Sequence, residues 1–468
     1  MALKSCCIYS IVVISLLLLI SGIALVLAKV FQHFLQSEVK KEVVLKNGTE
    51  SFEAWEDPPA PIYMQFYFFN LTNPLEVLDG ERPAVVEIGP YTYREYRPMD
   101  QVNFQDNGTK VAAVNTKTYI FQRNMSHGPE SDLIRTVNIP ATVMERFKDH
   151  SFIARLISDY MRGTGEGLFT THTVGELLWG YEDGLLKALK VLNPDLDDVF
   201  GLFYKSNASN DGEYVFFTGQ QDYMDFARVD TWNSQSSLTW WTTDECNMIN
   251  GTNGASFHPI IKKDETLYIF SSDLCRSLYA QYEGDVTVKG IPGYRFVPPS
   301  KVFANATVNP ANEGFCVPAG NCLGSGVLNV STCKQGAPII MSSPHFYQAD
   351  EKFVQDVFGM KPNKEKHETS IDINPFTGIV LRAAKRLQVN VYFPSFIFFQ
   401  SALIDDASAK KLKVIVTKKS VVENIPFMMI GVSIILGIIF MFLICQRKVP
   451  DQQRFIEDSL ETRAIIFY

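Results

Sequence analysis

The run IYSIVVISLLLLISGIALVLA at residues 8–28 contains no charged side chain. At about 1.5 Å rise per residue, a helix of this length crosses the roughly 30 Å hydrocarbon core of a bilayer. A second run, IPFMMIGVSIILGIIFMFLIC, occupies residues 425–445 and meets the same criterion. Together they predict a membrane hairpin with both chain ends on one side. A cleaved signal peptide is the competing reading of the first run, because Lys4 supplies a short basic lead. Its apolar core exceeds the roughly 7–15 residues of a signal sequence, which favours a retained anchor.

The segment between the runs fixes the expected orientation. It holds N-x-S/T sequons at Asn47, Asn70, Asn107, Asn124, Asn207, Asn250, Asn305 and Asn329, and none lies outside it. Sequons are used on the lumenal side. Residues 29–424 are therefore expected to form a lumenal glycosylated domain, with 1–7 and 446–468 cytosolic. Lys4, Arg447 and Lys448 agree with the positive-inside tendency.

Composition is that of a folding chain. The 468 residues are 46% hydrophobic and 20% charged, with 43 basic against 51 acidic side chains and a net charge of -8. Disorder would require fewer apolar residues, and a nucleic-acid binder would show a basic balance. Of eight cysteines, Cys6, Cys7 and Cys445 sit at the cytosolic ends of the runs, where palmitoylation and mere position at a span end are equally good readings. Cys246, Cys275, Cys316, Cys322 and Cys333 fall in the oxidising lumenal part, and their odd number leaves one without an intramolecular partner.

Residues 29–424 carry no internal repeat. Aromatic and β-branched stretches such as 62–70 (IYMQFYFFN), 85–95, 118–123, 214–218, 266–271, 293–297 and 383–393 predict strands, with turns at Asn107-Gly108 and Asp211-Gly212. Helical periodicity predicts helices over 140–162 and 174–192. The expected class is α+β, with mostly antiparallel strands. No metalloprotease, nucleophile-elbow, phosphate-loop or dinucleotide spacing occurs, and the seven histidines show no metal-ligand spacing. Neither an enzyme nor a metal or other cofactor is expected.

Six segments, GPYTYR at 89–94, ELLWGY at 176–181, NMINGT at 247–252, FSSDLCR at 270–276, SPHF at 343–346 and AKRLQVN at 384–390, resemble the class B scavenger receptor family in content and order. NCLGSGVLN at 321–329, GAPII at 336–340 and FYQADE at 346–351 are most similar to its lysosomal branch. The resemblance implies an antiparallel β-barrel core in the large lumenal domain, an apical helical bundle, and a tunnel through the domain for lipids or cholesterol. It also implies a receptor that carries β-glucocerebrosidase to lysosomes. The alternative is a cell-surface scavenger receptor for lipoproteins or fatty acids, and a possible homo-oligomer stays open. The cysteine pairing it implies is Cys275 with Cys333 and Cys316 with Cys322; other members have a further cysteine near Gly314, whose absence here leaves Cys246 free. After Tyr392 the family has an additional stretch, which this chain omits, and that puts the closing strands of the barrel the resemblance implies in question.

Two further expectations draw on that resemblance. The helix over 140–162 matches the apical bundle, and its apolar face, with Phe152, Ile153, Leu156, Ile157 and Tyr160, is expected to receive β-glucocerebrosidase. His150 lies at the margin of that face, where its titration between neutral and acidic compartments would loosen the complex. In the tail, Glu461, Ile465 and Ile466 have the spacing of an acidic dileucine sorting signal read by clathrin adaptor complexes.

Overall fold

The computed structural model describes residues 2–142, 160, 163–164, 167–191, 194–334, 336–391, 396–403, 413, 417, 419 and 421–442. The chain divides into two units, Met1–Val39 with Lys410–Tyr468, and Lys40–Ala409.

In the first unit, Ala2–Leu27 and Val421–Phe442 are helices long and apolar enough to cross a membrane. The first begins before the apolar run does, because helical hydrogen bonding continues into the polar lead. The two helices touch through small residues. Ser15 Oγ donates to the Ser433 carbonyl at 2.8 Å, and Ser433 Oγ donates to the Ser15 carbonyl at 2.8 Å. Gly22 lets the backbones approach, since a Cβ there would lie 2.8 Å from Ile430 Cγ1. In lipid, where apolar surface gives no drive to associate, small residues and interhelical hydrogen bonds of this kind hold helices together.

The second unit is built on antiparallel strands: β1 (Ile62–Leu71), β2 (Val85–Tyr96), β3 (Met99–Gln105), β4 (Lys110–Asn115), β5 (Thr118–Phe121), β6 (Leu133–Val137), β7 (Phe169–Thr173), β8 (Tyr181–Glu182), β9 (Val199–Phe200) and β10 (Glu213–Phe217). These are followed by β11 (Val229–Trp232), β12 (Leu267–Ser271), β13 (Arg276–Val288), β14 (Ile291–Val297), β15 (Val327–Asn329), β16 (Ile339–Ser342), β17 (Ser370–Ile373), β18 (Val380–Val391) and β19 (Phe396–Leu403). The main sheet runs β12-β13-β14-β17-β18-β19-β1-β2-β5, with β16 also pairing β18 and β15 pairing β16. A second sheet runs β11-β10-β4-β3, and β6–β7 and β8–β9 form short pairs.

β1 shows why the sheet forms. Ile62, Met64, Phe66 and Phe68 alternate inward and are buried, with the intervening residues half-buried, the period of a strand with one covered face. Its register to β2 shifts between Phe66 and Phe68, opposite Gly89. Gly89 has φ +154, and a Cβ there would sit 2.8 Å from the Phe66 carbonyl oxygen, so the bulge requires glycine. After the shortened junction following Tyr392, β19 lies between β18 and β1, with Phe398 opposite both Leu387 and Phe66.

The helix expected over 174–192 is two helices, Val174–Trp179 and Gly184–Lys190, with β8 between them. Gly180 causes the break: its φ is +126, and a Cβ would meet Val199 Cγ1 at 2.8 Å. Each segment has its own start. Thr173 and Glu176 form a reciprocal capping box, and Asp183 accepts from Leu186 N at 2.8 Å. Of the helix expected over 140–162, Ile139–Thr142 is described as helical.

Candidate functional site

A cavity of about 480 Å³ lies in the second unit. Its apolar wall follows from strand periodicity. Met64, Phe66 and Phe68 of β1, Leu381, Leu387 and Val389 of β18, and Ile339 and Met341 of β16 all line it. A volume of this order, apolar with a few polar groups, suits a small or single-chain amphiphile.

The polar part of the wall is a charged cluster: Arg97, Lys117, Lys334 and Lys385 with Glu95, Asp211 and Asp273. Lys385 is ion-paired with Asp273. Lys117 Nζ lies 3.6 Å from Asp211 Oδ2, and Arg97 Nε lies 3.9 Å from Glu95 Oε1. Asp211 Oδ2 also accepts from Tyr214 Oη at 2.8 Å and from Ser272 Oγ. Arg386 and Glu368 line the cavity as well, and within the cluster Lys334 makes no ion pair among the described residues. Among the described residues no carboxylate comes within 4.0 Å of its ammonium.

The side chain of Asp273 keeps 42% of its surface accessible although protein surrounds it deeply; that surface is the cavity's own, as for Lys385. The Lys385 ammonium, then those of Lys117 and Lys334, hold the Asp273 carboxyl far below the usual carboxylate range against the opposing effect of burial. Burial works against the Lys117 ammonium too, yet Asp273, Asp211 and Glu95 together raise its pKa. At Lys334 burial prevails, and its pKa is lowered.

Cys275 is bonded to Cys333, which ties the Asp273 segment to the Lys334 segment at the rim of this cluster. Cys316 is bonded to Cys322, and Cys246 is a buried free thiol. Sequence reasoning missed the cluster. Lys385 and Asp273 lay inside segments quoted for resemblance alone, and the Cys275–Cys333 pairing that brings Lys334 near Asp273 was read only as a disulfide, without its neighbours.

The other site residues are distributed as follows. Asn47, Asn107, Asn124 and Asn207 are exposed, and Asn70, Asn250, Asn305 and Asn329 are half-buried. Asn305 Nδ2 donates to the Leu323 carbonyl at 2.9 Å and Asn329 Nδ2 to that of Val317 at 3.2 Å. Tyr160 is partly buried against Ala141, Leu185 and Leu189. His150, Phe152, Ile153, Leu156 and Ile157, and Glu461, Ile465 and Ile466 in the tail, lie outside the described residues.

The model of the CD36 family matches residues 13–444. The chain belongs to the CD36 family. Lysosome membrane protein 2 of Rattus norvegicus is 49% identical over 459 residues, covering 94% of this chain and 95% of that protein, and the Homo sapiens protein is 48% identical over the same length. Scavenger receptor class B member 1 of Sus scrofa is 39% identical over 385 residues, 81% of this chain and 74% of that protein. Within the CD36 family, then, this chain is similar to a lysosomal membrane protein over nearly all its length and to a scavenger receptor over most of it.

Proposed function

We propose that the chain is a two-span receptor of the lysosomal membrane whose lumenal domain, residues 29–424, binds and passes lipid or cholesterol and escorts β-glucocerebrosidase. The observation that carries the lipid reading is the cavity of about 480 Å³, apolar along β1, β16 and β18 and closed at one part by buried charge. In this reading the main sheet curls as a barrel around the cavity, the helices near 140–190 form the bundle that receives the enzyme, and both chain ends are cytosolic. The name of the relatives at 48–49% identity supports the compartment, and the resemblance of the helical segment supports the protein partner. The 39% relative supports a second reading, a cell-surface scavenger receptor for lipoproteins or fatty acids, and the tail's adaptor-type signal favours the lysosome.

The test fills the cavity. Ala383 lines it, half-buried on β18. In full-length protein reconstituted in phosphatidylcholine nanodiscs, Ala383→Trp is expected to weaken binding of a fluorescent cholesterol analogue by about tenfold or more, equivalent to about 1.4 kcal/mol. The glycosylated variant should reach the cell's endomembranes as the parent does. Unchanged sterol affinity in a folded variant would overturn the lipid reading.

A further inference from the structure

Lys334 lines the cavity beside Asp273 and Lys385 but makes no ion pair among the described residues, and the way it is held bears on its chemistry. Its backbone N–H donates to the carbonyls of Val330 and Ser331 at 3.1 and 3.2 Å, and the preceding residue is fixed by the Cys275–Cys333 bond. The side chain lines a cavity whose remaining wall includes Ile339, Met341, Leu387 and Val389. No carboxylate lies within 4.0 Å among the described residues, in contrast to Lys117 and Lys385.

A lysine placed in this way is poorly solvated as an ammonium. Burial lowers its pKa, the nearby Lys385 and Lys117 ammoniums act in the same direction, and Asp273 and Asp211 oppose them without cancelling the effect. Desolvation beside other cations is how a lysine amine is made nucleophilic toward carbonyl carbon. The apolar wall selects the rest of the reactant, because only a carbonyl compound carrying a hydrocarbon chain gains by entering.

We propose that Lys334 is a covalent capture site for long-chain aldehydes, which it holds as a protonated imine. The Nζ lone pair forms a bond to the aldehyde carbon while the C=O π pair moves to oxygen. The resulting carbinolamine loses that oxygen as water and the C=N bond forms. Ammonium and aldehyde thus become iminium and one water, with nothing oxidised or reduced. The positive charge stays in the cluster, where the Asp273 and Asp211 carboxylates favour it as they favoured the ammonium. The proposal rests on the reading of the cavity as a site for lipid chains.

Full-length protein in phosphatidylcholine nanodiscs is incubated with hexadecanal and cyanoborohydride, which fixes any iminium as a secondary amine for peptide mapping. Lys334 is expected to be alkylated about tenfold faster than the exposed Lys262, because its amine is desolvated beside other cations and next to the bound chain. Excess hexadecanol, which fills the site without reacting, should slow labelling of Lys334 and leave Lys262 unaffected. Lys334→Arg should abolish the fast adduct; its persistence would assign the chemistry to another amine and overturn the proposal. Labelling of Lys334 no faster than Lys262, while hexadecanol still displaces a fluorescent fatty alcohol, would refute covalent capture and leave the lipid site standing. Failure of that displacement would refute the lipid site itself, and the proposal with it.

Discussion

His258 and His367 occupy opposite electrostatic settings within the second unit. His258 Nδ1 lies 3.0 Å from the Pro259 carbonyl oxygen and Nε2 lies 2.5 Å from Glu265 Oε1, so both ring nitrogens face acceptors. Burial disfavours the charge, yet Glu265 and the Pro259 carbonyl outweigh it and the pKa is raised. At His367 the Nδ1 accepts from Asn363 N at 3.0 Å, and the ring stacks on His345 with centroids 4.5 Å apart. His345 Nδ1 in turn accepts from Lys361 N at 3.0 Å and its Nε2 meets Glu87 Oε2 at 2.5 Å. Burial first, then the neighbouring His345, push His367 down to about 4. A raised folded value means that His258 contributes stability below about 6.5, the unfolded value, and loses it as pH rises through the folded one. A depressed value means the reverse: His367 costs stability progressively as pH falls from about 6.5 toward about 4. His258→Gln is therefore expected to lower the melting temperature more at pH 5 than at pH 8. His367→Gln forfeits the contacts with Asn363 and His345 at every pH but relieves the cost of charging the ring, so it should lower stability less at pH 5 than at pH 8. Thermal unfolding of the full chain at both pH values checks this, and parallel pH profiles in the two variants would refute it. Neither setting was legible from sequence: Pro259, Glu265 and Asn363 lie within seven residues of their histidines but only the folded turns bring them into contact, and the His345–Glu87 pair that acts on His367 comes from distant segments.

At the scale of elements, legibility followed periodicity. β1 and β2 were readable because alternation of inward aromatics is local, whereas the split of the segment 174–190 was hidden under an apolar helical period that runs across it. Gly180 was the available signal, and its role emerges only against Val199 and Tyr204, some twenty residues on. The place of β19 was likewise set by pairing partners on both sides rather than by its junction. The neighbouring elements Asp244–Asn247 and Pro310–Phe315 show the same dependence on tertiary contact. Cys246 is buried there, and a Cβ at Gly314 would come within 2.6 Å of its Sγ, close to the separation across a disulfide. Gly314→Cys is expected to form a third bridge, with a shift of a few tenths of an ångström. Closing a loop of this length by a disulfide stabilises by about 4 kcal/mol in the chain-entropy account, less any native strain. Non-reducing peptide mapping should recover Cys246 joined to position 314, and the melting temperature should rise. Gly314→Ala should lower it, since the same Cβ meets Thr243 Oγ1 at 2.4 Å without a bond to compensate. A free thiol at Cys246 in the oxidised cysteine variant would count against the geometry.

For the whole molecule the deciding quantity is which side of the membrane residues 29–424 occupy. The two apolar helices leave large side chains outward, such as Leu17 and Ile438, at 61% and 64% accessible, a surface that only lipid covers at low cost. All eight sequons lie between them, and Asn47, Asn107, Asn124 and Asn207 are exposed in the folded chain. Under the proposed orientation the basic residues Lys4, Arg447 and Lys448 flank the two helices on the cytosolic side, in line with the positive-inside tendency. If residues 29–424 are lumenal, trypsin added to intact lysosomes should remove the tail beyond Arg447 and leave a protected glycosylated fragment. Glycosidase should reduce that fragment's mass only after detergent opens the membrane. The proposed sorting signal gives a second readout: if Glu461, Ile465 and Ile466 act as an acidic dileucine signal, the carboxylate would meet a basic adaptor surface and the two isoleucines an apolar pocket. Replacing both isoleucines by alanine removes roughly 1.5–3 kcal/mol of burial per side chain, at least a tenfold loss in adaptor affinity. Surface biotinylation should then find the protein redistributed to the plasma membrane, with its glycosylation unchanged. A tail protected from trypsin in intact lysosomes would overturn the orientation. A cleavable tail whose double alanine variant still reaches lysosomes would preserve the orientation and eliminate the signal.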